Sequence, residues 1–324
     1  MNGKESHDDD STSPHDRRTR LKRPVQMLSN LIRKGSNARR LIAERGVFGY
    51  SASVVRRYFP NEYERVAGWF LRGGVELRYR AWRLINPKRR FVFVTFADGV
   101  HFSGDRLCKE VSELDIFDEI VDFTPSMLDA GFVERHKGHF EHARGYGFWV
   151  WKPQVILTTL QRMSDGDVLV YADAGCSVTP NSRSRFLQLF PDLLSHRDQP
   201  LLAAHPYSSF VTRQWNKADL LDHFGMLGRE DVLRSEQIEA GRVGLVKCEA
   251  NLKLIEAWSH IASDLHLIDD SPSTIVNDPE FIEHRHDQSI FSLLLVGKSH
   301  KTGLEEVFGA TRLMSSGIAR GARG

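Results

Sequence analysis

A chain of 324 residues has room for one large domain with an appendage, and 41% apolar with 10% aromatic residues supplies a core for it. A net charge of +2 argues against a nucleic-acid binder working through a global field. The cysteines Cys108, Cys176 and Cys248 are odd in number, widely spaced and without a CxxC, which reads as reduced thiols in a cytoplasm and not as a disulfide framework.

Residues 1–25 are polar, with Asp8, Asp9 and Asp10 followed by Arg17, Arg18, Arg20, Lys22 and Arg23, and are read as an unfolded tail. Its basic part would also suit an anionic membrane surface. The opening MNGKESHDDD has no apolar signal core, and no apolar run approaches the ~20 residues of a membrane span, so a cytoplasmic location is expected, with peripheral contact at the inner membrane face. Residues 26–90 read as an accessory helical segment, with apolar spacing through Met27, Leu31 and Ile32 and later Val66, Phe70, Leu77, Tyr79 and Trp82.

At Phe91 the pattern changes. FVFVTFA is a continuous apolar run, as expected of a strand covered on both faces, and it empties onto Asp98-Gly99. A helix over 105–113, a strand over 116–123 and helix-like residues over 127–142 follow. An aromatic loop with Gly145 and Gly147 then leads into a helix from Pro153 to Met163 and a strand from Asp167 to Tyr171. Alternation of strand and helix predicts an α/β protein with a mostly parallel central sheet flanked by helices, over 91–308, carrying the N-terminal helical appendage. The second half reads as a helix over 182–195, strands over 201–205 and 238–247, an amphipathic helix over 251–265 and an apolar run after HRHDQ. A loose tail is expected over 309–324.

Ligands of such sheets sit beyond the carboxyl ends of the strands, which places Ala97, Asp98 and Asp173-Ala174-Gly175 together. Asp173 suits a hard cation, which takes one or two carboxylates with phosphate oxygens and water, and Ala174 and Gly175 let a ligand approach the backbone. A turn aspartate capping the next segment is the plainer alternative. Lys152 before Pro153 would make a cationic helix end for a diphosphate. Tyr146, Trp149 and Trp151 either stack on a base or sugar or fill core. In His284-Arg285-His286-Asp287-Gln288 a helix start is expected, with His286 a metal ligand or Asp287 a carboxylate facing the reacting carbon. His136, His139 and His142 have the spacing of a metal site but spread over an arc of a helix and lack a fourth ligand.

RGYGFWVWKP, GDVLVYADAGC, IEAG and HRHDQSIF, in that order, resemble a set of bacterial and eukaryotic glycosyltransferases of GT-A fold that use nucleotide-diphosphate sugars. The resemblance spans Phe91 to Val296 and covers nothing in residues 1–90. It implies a UDP- or GDP-sugar donor, a glycan or lipid-linked acceptor, and no specific nucleic acid. It implies that Phe96 and Ala97 border the base and that Arg144 and Lys152 meet the donor phosphates or ribose, with Trp149 also on the donor side. Glu239, Ala240, Gly241 and Gln288 would line the sugar or acceptor, and Asp287 would be the catalytic carboxylate. It further implies a divalent cation, Mn²⁺ or Mg²⁺, on Asp173. Where that family has Asp-x-Asp this chain has Asp173-Ala174-Gly175, so a second metal ligand would come from His286 or Asp287. Two other readings stay open: a metal-dependent phosphoesterase using Asp98, Asp173 and His286, and a binding protein whose catalytic site has decayed.

Overall fold

The computed structural model describes residues 74–100, 103–179, 181–195, 201–204, 210–298 and 303–310. The chain divides into two units, residues 1–88 and 89–324. In the first, the described element is α1 (Gly74–Ile85), an amphipathic helix with Glu76 bonded to Arg80 one turn on. The basic tail and residues 26–73 of the accessory segment lie outside the described residues, as do residues 311–324 of the expected tail.

The second unit runs β1 (Phe91–Phe96), α2 (Asp105–Ser112), β2 (Glu119–Phe123), the short helices α3 (Ala130–Arg135) and α4 (Lys137–Phe140), α5 (Trp151–Gln161) and β3 (Val168–Ala172). Then come β4 (Cys176–Val178), α6 (Ser182–Ser195), β5 (Leu201–Ala204), the short helices α7 (Thr212–Trp215), α8 (Ala218–His223) and α9 (Glu230–Leu233), and β6 (Glu239–Val246). It closes with α10 (Glu249–Ala262), α11 (Leu265–Ile268), α12 (His286–Leu294), α13 (Leu304–Val307) and β7 (Phe308–Ala310).

The five-stranded sheet has the order β2-β1-β3-β6-β5. β1 pairs parallel with β2 and β3, whereas β6 is antiparallel to both β3 and β5. Four strands therefore run one way and β6 the other: a mixed α/β fold whose central sheet is mostly parallel and flanked by helices. Every residue of β1 and β3 is buried, as their unbroken apolar runs require of strands with both faces covered. On α10 the buried residues Leu254, Ile255, Trp258 and Ile261 recur at helical spacing and form its inner face.

One boundary moved for a packing reason. Gly309 and Ala310, expected in the tail, pair with Ser177 and Cys176 in a second small sheet, because fully buried Phe308 carries the chain into the core beside Val178.

The reversed direction of β6 has a consequence for function. It brings Glu239, Ala240 and Gly241 to the edge at which β1 and β3 end, with Ala172 opposite Arg242 and the Asp173 N–H donating to Gly241 O at 2.9 Å.

Candidate active site

A cavity of about 260 Å³ opens at that edge. Phe96, Ala97 and Asp98 enter it from the end of β1, and Asp173, Ala174 and Gly175 from the end of β3. Residues 143–146, Trp149 and Trp151 form the remaining wall. The sequence thus placed Phe96, Ala97, Arg144, Trp149, Asp173, Ala174 and Gly175 on what proves to be one surface.

The wall at 145–149 has an unusual backbone. Gly145, Tyr146, Gly147, Phe148 and Trp149 have φ of 58°, 52°, 85°, 56° and 61°. The Phe148 and Trp149 N–H groups donate to the carbonyls four residues back, Arg144 O at 2.8 Å and Gly145 O at 3.1 Å. This is a turn of left-handed helix. Each non-glycine residue in it costs about 1–2 kcal/mol, so Tyr146, Phe148 and Trp149 store several. Gly145 is needed for space as well, since a Cβ there would stand 2.4 Å from the Trp149 ring. The turn delivers aromatic side chains in opposite directions. Trp151 stacks on Phe96 at 3.8 Å in the cavity wall and Phe148 stacks on His286 at 5.4 Å in the core, while Tyr146 and Trp149 are only partly buried and face the cavity.

Helix α5 begins at Trp151, two residues before Pro153, with the Lys152 N–H donating to Trp149 O. Proline is still tolerated in that first turn, where its missing N–H has no helical acceptor to lose. The earlier start turns Lys152 inward. Its side chain is 3% exposed, with Nζ 2.8 Å from Asp287 Oδ2 and 3.2 Å from Asp173 Oδ1. Lys152 therefore does not stand at an open cationic helix end. It joins two carboxylates that are far apart in sequence. Burial alone would lower the lysine pKa, but Asp173 and Asp287 outweigh it and hold the ammonium above the ordinary lysine range.

Asp173 is the member of this triad that reaches the cavity, and its side chain keeps 20% exposure. The Tyr171 hydroxyl donates to Asp173 Oδ1 at 2.6 Å. Tyr171 lies two residues before Asp173, so strand alternation puts both on one face, a signal that the sequence contained. Burial first, and then Asp173, raise the tyrosine pKa well above its usual value, so the hydroxyl keeps its proton. Asp287 sits beneath, in the first turn of α12, and Trp258 Nε1 donates to its carbonyl at 3.1 Å. It contacts the cavity through Lys152 and Asp173, not directly.

The β6 residues divide. Gly241 lies against Asp173, and a Cβ there would be 2.9 Å from Asp173 Oδ2 and 2.7 Å from Glu239 Oε1. Two carboxylate oxygens thus converge over the Gly241 α-carbon. Glu239 Oε2 accepts from buried Arg242, which also donates to Phe308 O at 2.6 Å. Burial raises the Glu239 pKa, Asp173 adds to the rise, and Arg242 opposes it. Ala240 is 1% exposed and belongs to the core. Gln288 donates to Gln237 Oε1 at 2.8 Å, two residues before Glu239.

His286 and the side chain of Arg144, a residue of the cavity wall, meet at Asp270. His286 Nε2 is 2.9 Å from Asp270 Oδ1, and Arg144 Nη1 donates to both Asp270 oxygens at 3.0 Å and through Nη2 to Glu283. His286 has φ of 52° and packs on Phe148 and Trp149, so it buttresses the left-handed turn. The other histidine motif is structural. His136 and His139 bond Ser263 Oγ at 2.9 Å and Ala262 O at 3.1 Å, holding the end of α10, and burial lowers both of their pKa values. All three cysteines are free thiols, and burial pushes Cys176 up to about 12. Among the described residues no group of three or more His, Cys, Asp or Glu is arranged around a metal position, and no helix is long and apolar enough to cross a membrane.

Fold and site together define a mixed α/β protein with an aromatic-walled, carboxylate-bearing cavity at the carboxyl edge of its sheet. No protein-family model matches the chain, and no curated protein matches it in sequence. Solved structures to which it is similar include a glycosyltransferase involved in the glycosylation of the major capsid of PBCV-1, with 10% identity, 54% of this chain and 68% of that one covered, and a TM-score of 0.31. Mouse xyloside xylosyltransferase 1 in its apo form matches with 11% identity over 66% of this chain and 83% of that one, at a TM-score of 0.35. The galactosyltransferase LgtC, in complex with donor and acceptor sugar analogs, matches with 14% identity over 64% and 72%, also at 0.35. Likeness at this distance says nothing about individual residues.

Proposed function

We propose that this protein is a glycosyltransferase that moves a sugar from a UDP- or GDP-sugar to a glycan or lipid-linked acceptor. The observation that carries this reading is the cavity itself, where aromatic walls and a positioned carboxylate face each other beyond the ends of β1 and β3. Tyr146 and Trp149 give a nucleoside a stacking surface. Asp98 and Asp173 mark the polar ends.

The carboxylates present fit a divalent cation, Mn²⁺ or Mg²⁺. Asp173 Oδ2 and Glu239 Oε1 face the same spot over Gly241, and two carboxylates with phosphate oxygens and water are an ordinary set for such ions. Asp173 and Glu239 would hold the ion, with Glu239 in the place expected of His286. A bound cation supplies Lewis-acid stabilisation of charge on a departing diphosphate. The chain's own residues do the rest. Lys152 and Tyr171 fix the orientation of Asp173, and the aromatic wall excludes water from the donor. Buried ion networks add little net stability over apolar packing, so placing Asp173 accounts for the Lys152 triad better than stability does.

The phosphoesterase alternative is not favoured, because it needs His286 beside Asp98 and Asp173, and His286 is turned to Asp270 and Phe148. A cytoplasmic location, with the basic N-terminal arm on an anionic membrane, remains part of the proposal.

Thermal-shift titration with UDP-, GDP- and CMP-sugars, with and without Mn²⁺, tests it. A donor of the proposed class should raise the unfolding temperature. Stabilisation by none of them in any metal condition would sink the transferase reading.

A further inference from the structure

Two residues of α2 grip the segment that follows Asp173. Arg106 Nη2 donates to Ala174 O at 3.1 Å and to Cys176 O at 2.6 Å, while its Nη1 donates to Glu110 Oε1 at 2.7 Å. Glu110 Oε2 in turn accepts from the Val178 N–H at 2.8 Å. The carbonyls on both sides of Gly175 are thus drawn toward α2. In a trans peptide the N–H points opposite to the carbonyl, and the chain has no cis peptide bond among the described residues. With Ala174 O held by Arg106, the Gly175 N–H must point away from α2. Ala174 and Gly175 both line the cavity. The Asp173 N–H is committed to Gly241 O and the Cys176 N–H closes a turn onto Asp173 O, whereas among the described residues no acceptor engages the N–H of Ala174 or Gly175.

We propose that Arg106 is a positioning residue that turns the Ala174–Gly175 peptide so that the Gly175 N–H binds an anion in the cavity, the diphosphate of a nucleotide. The inference rests on the donor class given above and deepens it. Backbone N–H groups held in a fixed orientation are ready-made anion donors, because no reorganisation is needed when the charge arrives. Gly175 then has a use of its own. With no side chain, glycine lets an anion approach the backbone closely. Arg106 does not line the cavity, so its part is played through the peptide.

The experiment is calorimetric titration of the full chain with inorganic pyrophosphate, UDP, GDP and the nucleosides uridine and guanosine. It compares wild type with Arg106→Met and Arg106→Lys, alongside a Gly-selective ¹⁵N spectrum that follows the Gly175 amide. Arg106→Met should weaken pyrophosphate and nucleoside diphosphate about tenfold, the size of one hydrogen bond to a charged group, and leave nucleoside affinity unchanged. Arg106→Lys keeps the charge but lacks the fork that spans two carbonyls, so it should not restore affinity. In wild type the Gly175 amide should shift on adding pyrophosphate. Unchanged diphosphate affinity in Arg106→Met, full recovery in Arg106→Lys, or an unmoved Gly175 amide overturns the proposal. If Arg106→Met fails to fold, the amide shift decides. The two readings fail separately. Wild type that binds pyrophosphate but no nucleoside diphosphate removes the transferase reading alone, and nucleotide binding indifferent to Arg106 removes only this one.

Discussion

Replacing Lys152 by Met probes the buried triad most sharply. The ammonium is 3% exposed and lies 2.8 Å from Asp287 and 3.2 Å from Asp173, so methionine fills the volume but leaves two carboxylates facing each other without a cation. Removing one partner of a buried ion pair costs about 3–5 kcal/mol, which for a unit of this size lowers the unfolding temperature by roughly 6–20 °C. The loss should depend on pH in a defined direction. Without Lys152, burial raises the Asp287 pKa in the folded state above its unfolded value. A group of that kind weakens the fold as pH rises through its folded pKa and costs nothing once pH is below its unfolded value. The deficit of Lys152→Met relative to wild type should therefore be largest at pH 7.5 and smaller at pH 4.5. Asp287→Asn in the same background should recover part of it. Urea unfolding followed by circular dichroism at the two pH values measures this. A deficit under about 1 kcal/mol at neutral pH, or one of equal size at both, would refute the description of Lys152 as the cation of a buried triad.

Three further outcomes follow from other parts of the structure. Gly241→Ala puts a methyl 2.7 and 2.9 Å from the Glu239 and Asp173 oxygens. It should lower Mn²⁺ affinity about 10–100-fold, read by titration monitored by electron paramagnetic resonance, with little change in fold. Gly145→Ala forces a side chain into a left-handed residue and against Trp149, and should cost more than about 1–2 kcal/mol in chemical denaturation and blue-shift or broaden tryptophan emission. Asp219 takes hydrogen bonds from Thr274, Ile275 and His266. Burial alone would raise its carboxyl, but those bonds prevail and bring it from 3.8 down to about 2. The roughly 2 kcal/mol that such a shift represents is present above pH ~4 and lost as pH falls toward 2, so Asp219→Asn should flatten the acid limb of the stability curve.

Much of the frame could be read from residue order because burial leaves a pattern. The unbroken apolar runs at 91–96 and 168–172 gave both central strands, and the spacing of Leu254, Ile255, Trp258 and Ile261 gave the inner face of α10. HRHDQ was legible as the start of a helix for the same reason, since a polar cluster led into IFSLLLV. What pattern cannot encode is direction and the sign of φ. A strand over 238–247 was visible, but its reversal, which brings Glu239 beside Asp173, depends on long-range pairing. Gly145 and Gly147 marked an aromatic loop, yet the left-handed helix between and beyond them is set by Trp149, Phe148 and His286 packing around it. Arg106 and Glu110 were not singled out within the helix over 105–113, because their partners lie 68 to 70 residues further on. Lys152 was expected at an open cationic helix end, and the structure turns it inward. Its side chain answers Asp287 and Asp173, two carboxylates far from it in sequence.

The most direct measurement is a crystal structure with a nucleoside diphosphate and Mn²⁺ soaked in. The base is expected against Tyr146 and Trp149, with the phosphates at Asp173-Ala174-Gly175 and the ion between Asp173 and Glu239. A nucleotide bound anywhere else on the chain, or a cavity that stays empty at saturating concentration, would contradict the assignment of this cavity as the donor site.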